Sequence, residues 1–424
     1  MRSASPPGAP SMRPAQRLSF ARFSEVPARV KWLIYLLSFL TVSQGFYYIL
    51  VSAHLRELGI SSETVGLILG TSGAAVVLSA IPLGMISDRK GRKRVFLLGT
   101  MGLPPALLVY AFTTNPTYLI LAGIVVGVAQ GAFLTTWNAM IADQTPLETR
   151  DSAFSLSFFI TILANGIGYA IPLLFPVISG GTGIDLPTIH RYAIVFFAGF
   201  ACISPIALAL FLRNFQETTY PRRNWSLRGR KLGLLLKFSA LNGLIGLGAG
   251  FIIPLIPTWL YDNFHMEDSF SGPLLAISNL TIGFAALWSA GLAKRFGPVR
   301  AIALTEGLST IFMVSLAFAP DPYTAGGLYI IRAALMMMSS PISDSYLMSI
   351  IAPEDRGMAS AINSIVWRLP NSATTVVGGA LLQGSQFKLP FFLAASLYMT
   401  SIAGFYATFR RVSPSSEEAR TTGG

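Results

Sequence analysis

Gly84-Met85-Ile86-Ser87-Asp88-Arg89-Lys90-Gly91-Arg92-Lys93-Arg94-Val95 sets five cations and one carboxylate between two long apolar runs, near 63–87 and 93–112. Each run reaches the roughly 20 apolar residues that a helix needs to span the hydrocarbon of a bilayer. The stretch therefore reads as a short loop that turns the chain back at one membrane face. Gly91 permits the tight turn, Gly84 lets neighbouring helices approach closely, and the cations hold the loop against anionic headgroups.

On either side of this loop, ten further runs of the same kind lie near 31–54, 117–142, 152–176, 190–212, 234–262, 270–292, 299–319, 325–351, 357–383 and 389–409. The expected fold is an all-α membrane protein of twelve transmembrane helices. Composition agrees, since 52% of the 424 residues are apolar and only 12% are charged, about half the charged share of a soluble domain. The excess of 31 basic over 19 acidic residues is a matter of placement. If the chain starts inside and alternates sides, 26 of the 31 cations fall on inner segments, as the positive-inside rule requires. A multi-pass protein of the cell membrane with both termini in the cytoplasm is expected, in contact with lipid and without nucleic acid.

The chain also repeats at a shift of 206 residues. Arg89-Lys90-Gly91 recurs as Arg295-Phe296-Gly297, Glu148, Arg150 and Ala153 as Glu354, Arg356 and Ala359, Asn165 as Asn371, and Asn138 as Asp344. Six helices per copy is an even number, so both copies start from the same side and the repeats are parallel. The expected organisation is a disordered tail over 1–30, six-helix bundles over 31–213 and 234–410, a basic cytoplasmic linker over 214–233, and a tail over 411–424. Pro254, Pro257, Pro341 and Pro370 mark expected kinks.

These features resemble the major facilitator superfamily over nearly the whole chain. The Gly84–Val95 stretch is similar to that family's signature between helices two and three, with Ile86 and Ser87 departing mildly from leucine and alanine. The resemblance implies a secondary transporter working by alternating access, and a loop that latches the two halves in the outward-facing state. Gly84, Asp88, Arg89, Gly91 and Arg92 would form that latch. Glu148 with Arg150, and Glu354 with Arg356, resemble the other cytoplasmic signatures, where acid and arginine exchange partners as the halves rock. The equivalent loop of the second half is degraded, with Lys294 at the aspartate position and Pro298 at a basic one.

An ionisable residue inside a membrane helix is costly and read first as functional. Arg368 lies about eleven residues into its run, roughly 16 Å deep at 1.5 Å per residue. Asp344, about seven residues from the inner end of the preceding run, is placed to pair with it or to carry a proton. Arg332 sits nearer the outer end, where it could snorkel or reach the substrate. Gln44, Asn138, Asn165 and Asn371 supply neutral donors and acceptors on helices that the resemblance places around the cavity. Tyr47, Tyr48 and Trp367 are candidate aromatic walls.

The function expected from the sequence is transport of a small solute, with the proton a candidate coupling ion and Arg332 and Arg368 tilting the choice towards an anionic or polar metabolite. Multidrug efflux is the alternative, although helix five has only Gly166, Gly168 and Pro172 where drug antiporters of the family carry Gly-Pro and Gly-Gly patterns. A transporter-like receptor or scaffold is a second alternative. No enzyme chemistry, cofactor or metal is called for. Cys202 stands alone, and His54, His190 and His265 are scattered singly and read as interface residues. A monomer is expected.

Overall fold

The computed structural model describes residues 20–146, 149–213, 230–351 and 356–411. Twelve long helices run through them. They are α1 (Ala28–Glu57), α2 (Ser62–Lys90), α3 (Arg92–Phe112), α4 (Pro116–Asp143), α5 (Arg150–Ala170, carried on through Phe175–Thr182), α6 (Leu186–Phe211), α7 (Arg230–Gly250, carried on through Ile256–Phe264), α8 (Asp268–Phe296), α9 (Pro298–Leu316), α10 (Pro322–Ile350), α11 (Arg356–Gln383) and α12 (Leu389–Phe409).

Ten of them are long and apolar enough to cross a membrane. The remaining two, α8 and α11, are as long as their neighbours, at 29 and 28 residues. The composition of α11 follows from its position. Its Asn363, Ser372, Thr374 and Thr375 are buried against protein rather than lipid. The outer surface of the bundle is apolar in turn, with Leu78, Phe112, Phe196, Phe284 and Trp288 all more than 60% exposed, which suits lipid as the surrounding solvent.

The first helix starts earlier than expected. Phe20–Glu25 forms a 3-10 turn and α1 begins at Ala28, so part of the segment 1–30 is ordered. Burial accounts for it, because Val26 and Val30 are 2% and 0% exposed and Phe23 stacks on Phe159. The prolines divide into two groups. Pro254 lies in a 3-10 break of α7 and Pro257 opens the helix after it, whereas α10 and α11 run unbroken through Pro341 and Pro370. In α1, the 206-residue counterpart of α7, the corresponding region is distorted into a π-turn over Leu50–His54.

The repeat is visible in the contacts between the halves. Tyr48 donates to the carbonyl of Pro254 at 3.1 Å, Thr258 donates to the carbonyl of Ser52 at 2.6 Å, and Arg56 pairs with Asp262 at 2.7 Å, each pair 206 residues apart. Counterpart residues touch only where they lie beside a two-fold axis, so α1 and α7 meet on it. At this same end Ser62 donates to Asp262 and its backbone N–H donates to Gln383 Oε1 at 2.9 Å. Glycine allows α2 and α11 to close together, since a Cβ on Gly66 would sit 2.9 Å from the Cα of Gly379 and one on Gly70 2.6 Å from the carbonyl oxygen of Ser372. These contacts seal the molecule at the end opposite the Gly84–Val95 loop.

Candidate functional site

Below the sealed end lies a cavity of about 610 Å³ that reaches towards the basic loop. Helix periodicity builds its walls. On α4, Gln130, Phe133, Trp137 and Asn138 recur at helical spacing and share one face of the cavity. On α5, Phe154, Phe158, Thr161 and Asn165 do the same. Thr41 and Gln44 come from α1. Phe133 stacks on Trp137 at 5.4 Å, and Trp137 in turn stacks on Phe96 at 5.7 Å, which stiffens the aromatic wall. The indole N–H of Trp137 is satisfied by Ser157 Oγ at 3.1 Å, so the ring presents an apolar face.

Among the described residues, one charge reaches this cavity. Arg368 is the single lining residue from the second half, and neither Asp nor Glu lines the cavity with it. Its counterpart in the first half is Ile162, so the charge is not duplicated by the repeat. A lone guanidinium facing an aromatic chamber favours an anion or a strong hydrogen-bond acceptor and repels cations.

Four expected residues are thus brought together: Gln44, Asn138, Asn165 and Arg368. Three are not. The expected pairing of Arg368 with Asp344 is not made among the described residues, and Asp344 is exposed elsewhere on α10. Arg332, expected to snorkel or to reach substrate, is 5% exposed and donates to the Tyr398 hydroxyl at 2.8 Å, while its carbonyl accepts from Ser309. It faces α9 and α12, where a buried phenol gives its charge a partner. Asn371 donates to the carbonyl of Gly246 at 3.1 Å and ties α11 to α7. The candidate walls Tyr47, Tyr48 and Trp367 belong to helix packing, and Phe133, Trp137, Phe154 and Phe158 take their place. The i, i+3, i+4 spacing on α4 was the signal for them.

At the basic end, Gly91 ends α2 with φ of 99°, a conformation open to glycine. Gly84 faces Thr135 of α4 with room to spare, since a Cβ added there would lie 3.7 Å from Thr135 Cγ2. Arg92 pairs with Asp143 at the end of α4, and Arg150 donates to the carbonyls of Ala142 and Thr145 at 3.0 and 3.5 Å. Arg89 is exposed. The side chains of Asp88 and Arg356, together with residues Glu148, Glu354 and the segment 214–229, lie outside the described residues.

The model of the Major Facilitator Superfamily matches residues 32–242 and again 238–424. The chain belongs to the major facilitator superfamily. This places it among membrane transporters and accounts for the paired bundles. Among relatives of this transporter, a multidrug resistance protein MdtG of Proteus mirabilis is 26% identical, over 89% of this chain and 95% of its own. A D-xylose–proton symporter superposes with a TM-score of 0.71 at 14% identity, covering 89% of this chain and 98% of that one. A bacterial homologue of the human lysosomal transporter Spinster, in an inward-facing and occupied conformation, gives 0.70 at 13% identity, over 90% and 96%. At such identities the solved structures speak for the fold alone.

Proposed function

We propose that this transporter moves amphipathic, aromatic organic molecules that carry an anionic or strongly accepting group, and that Arg368 is the anchor for that group. The observation that carries the reading is the pairing of an aromatic chamber with one unshared guanidinium. Gln44, Asn138 and Asn165 orient the polar remainder of the solute. The likeness to multidrug resistance proteins MdtG and the aromatic lining of the cavity support organic solutes with apolar surface, while the absence of a carboxylate among the described lining residues argues against lipophilic cations.

Within the same proposal both termini are cytoplasmic, and the conformation is inward-facing, with the cavity on the basic side and the opposite end sealed. The chain divides into two six-helix bundles, α1–α6 and α7–α12, with the expected linker shortened because α7 begins at Arg230, and the two matched stretches support the twofold division. If a proton drives transport, Asp344 is its carrier, because Asp344 is exposed whereas Glu306 on α9 is 8% exposed. Asp88 and Arg92 act as the latch of the opposite state, with Arg92 held ready by Asp143.

The test is thermal stabilisation of the purified protein by aromatic carboxylates, sugars and lipophilic cations, beside Arg368→Gln. Losing a charge-assisted hydrogen bond of about 1.5–3 kcal/mol weakens binding roughly 10- to 150-fold. Stabilisation by aromatic carboxylates that vanishes in the variant supports the reading. Stabilisation by lipophilic cations that persists in the variant overturns it.

A further inference from the structure

Four polar side chains that the transport cavity does not use converge at the sealed end. His54 closes the π-turn of α1, Glu57 follows three residues later, His190 lies in the first turns of α6, and Asp268 opens α8 in the other half. Their donor atoms all lie within 4.8 Å of one another. His190 Nε2 is 2.9 Å from Asp268 Oδ2 and 4.0 Å from Glu57 Oε2, and His54 Nδ1 is 3.0 Å from Glu57 Oε2. The other oxygen of Glu57 accepts the backbone N–H of Asp268 at 2.7 Å. His54, His190 and Asp268 are 4%, 5% and 3% exposed. The histidines, far apart in sequence and read there as single interface residues, stack ring on ring at 3.8 Å and 3°.

The hydrogen bonds decide the tautomers. His190 Nδ1 is 2.8 Å from the carbonyl of Leu186, which can only accept, so Nδ1 carries a proton. A neutral His190 then turns the lone pair of Nε2 onto a carboxylate oxygen 2.9 Å away, which is repulsive unless a cation lies between them. His54 donates from Nδ1 to Glu57. With both rings neutral, the buried cluster carries two negative charges. One proton on His190 balances only half of that charge, and a second would stack two imidazolium rings at 3.8 Å. Arg56, the cation in the same turn of α1, is directed at Asp262. A single divalent cation balances the cluster.

We propose that Glu57, His190 and Asp268 form a divalent transition-metal site of the zinc class, and that the ion clamps the two halves together at this end. Bonds of about 2.0–2.2 Å in a tetrahedral arrangement place donors roughly 3.3 Å apart, within the 2.9–4.0 Å spread around His190 Nε2. His54 stays outside the inner set, because two parallel rings cannot both hold one ion in their planes. It orients Glu57 by hydrogen bonding, as the Leu186 carbonyl orients His190. Two ligands come from the first half and one from the second, so the ion binds the sealed state and must leave, or lose Asp268, when this end opens.

The test uses untagged, full-length protein stripped with a chelator and titrated with Co²⁺, then Zn²⁺. One equivalent of Co²⁺ should give the visible absorption of a low-coordinate site, be displaced by Zn²⁺, and raise the melting temperature. His54→Gln should weaken binding about 10- to 100-fold, and Asp268→Asn should abolish it. Absence of the cobalt band and of any thermal shift at about 1 mM, where every site tighter than that fills, overturns the proposal in the wild type alone. So does binding that survives Asp268→Asn. A protein indifferent to metal but stabilised by acid assigns the cluster to a proton and overturns it equally.

Discussion

Adding a methyl group at Gly66 and Gly70 should open the sealed end. The Cβ of Gly70→Ala would lie 2.6 Å from both the Ser372 carbonyl oxygen and Val376 Cγ2, and that of Gly66→Ala 2.9 Å from Gly379 Cα and the Thr375 carbonyl oxygen. Ordinary contact begins at 3.4 Å, so α2 and α11 must separate by several tenths of an ångström. Overpacking of this kind costs about 1–3 kcal/mol, borne only by the state in which the helices touch. The gain in helix propensity from glycine to alanine, about 1 kcal/mol, is common to both states and cancels in their ratio. The double variant should therefore shift the equilibrium towards opening about 5- to 150-fold. Spin labels at Thr114→Cys and Gln386→Cys, exposed at this end on opposite halves, in a Cys202→Ser background, report the separation. A longer-distance population should grow in the double variant and not in the control Gly199→Ala, whose added Cβ would meet nothing within 4 Å. An unchanged distance distribution in the double variant would refute the glycine-sealed gate.

Tyr398→Phe removes the hydroxyl that Arg332 donates to and should lower stability by about 1.5–3 kcal/mol, seen as earlier thermal unfolding, with ligand stabilisation through Arg368 retained; loss of ligand response would return Arg332 to the site. Asp88→Asn should impair transport while leaving the melting temperature unchanged, and normal flux in that variant would remove the latch. A cysteine at Arg223 should react with an impermeant reagent only from the cytoplasmic side, so labelling in intact cells would reverse the assigned topology.

The helices were legible because spanning a bilayer imposes a length and a hydropathy that a sequence displays directly, and the 206-residue shift displayed the duplication, though not that Tyr48 and Pro254, Ser52 and Thr258, and Arg56 and Asp262 would meet on the axis. Depth was legible too, which is why Arg368 could be picked out. Rotation about the helix axis was less so. Arg332 and Arg368 look alike in sequence, yet one turns to Tyr398, 66 residues away, and the other into the cavity. Asn165 and Asn371 occupy equivalent positions, but only the first lines the cavity, the second being drawn to the carbonyl of Gly246. His54 and His190 are separated by four helical spans, and only closure of the bundle end stacks them.

Arg368 is proposed to anchor a solute that this protein carries across the membrane. Counterflow in proteoliposomes, preloaded with an aromatic carboxylate found to stabilise the protein, tests it most directly. The wild type should exchange labelled compound rapidly and Arg368→Gln little. Exchange undiminished in that variant, or stabilisation without any exchange, would contradict it.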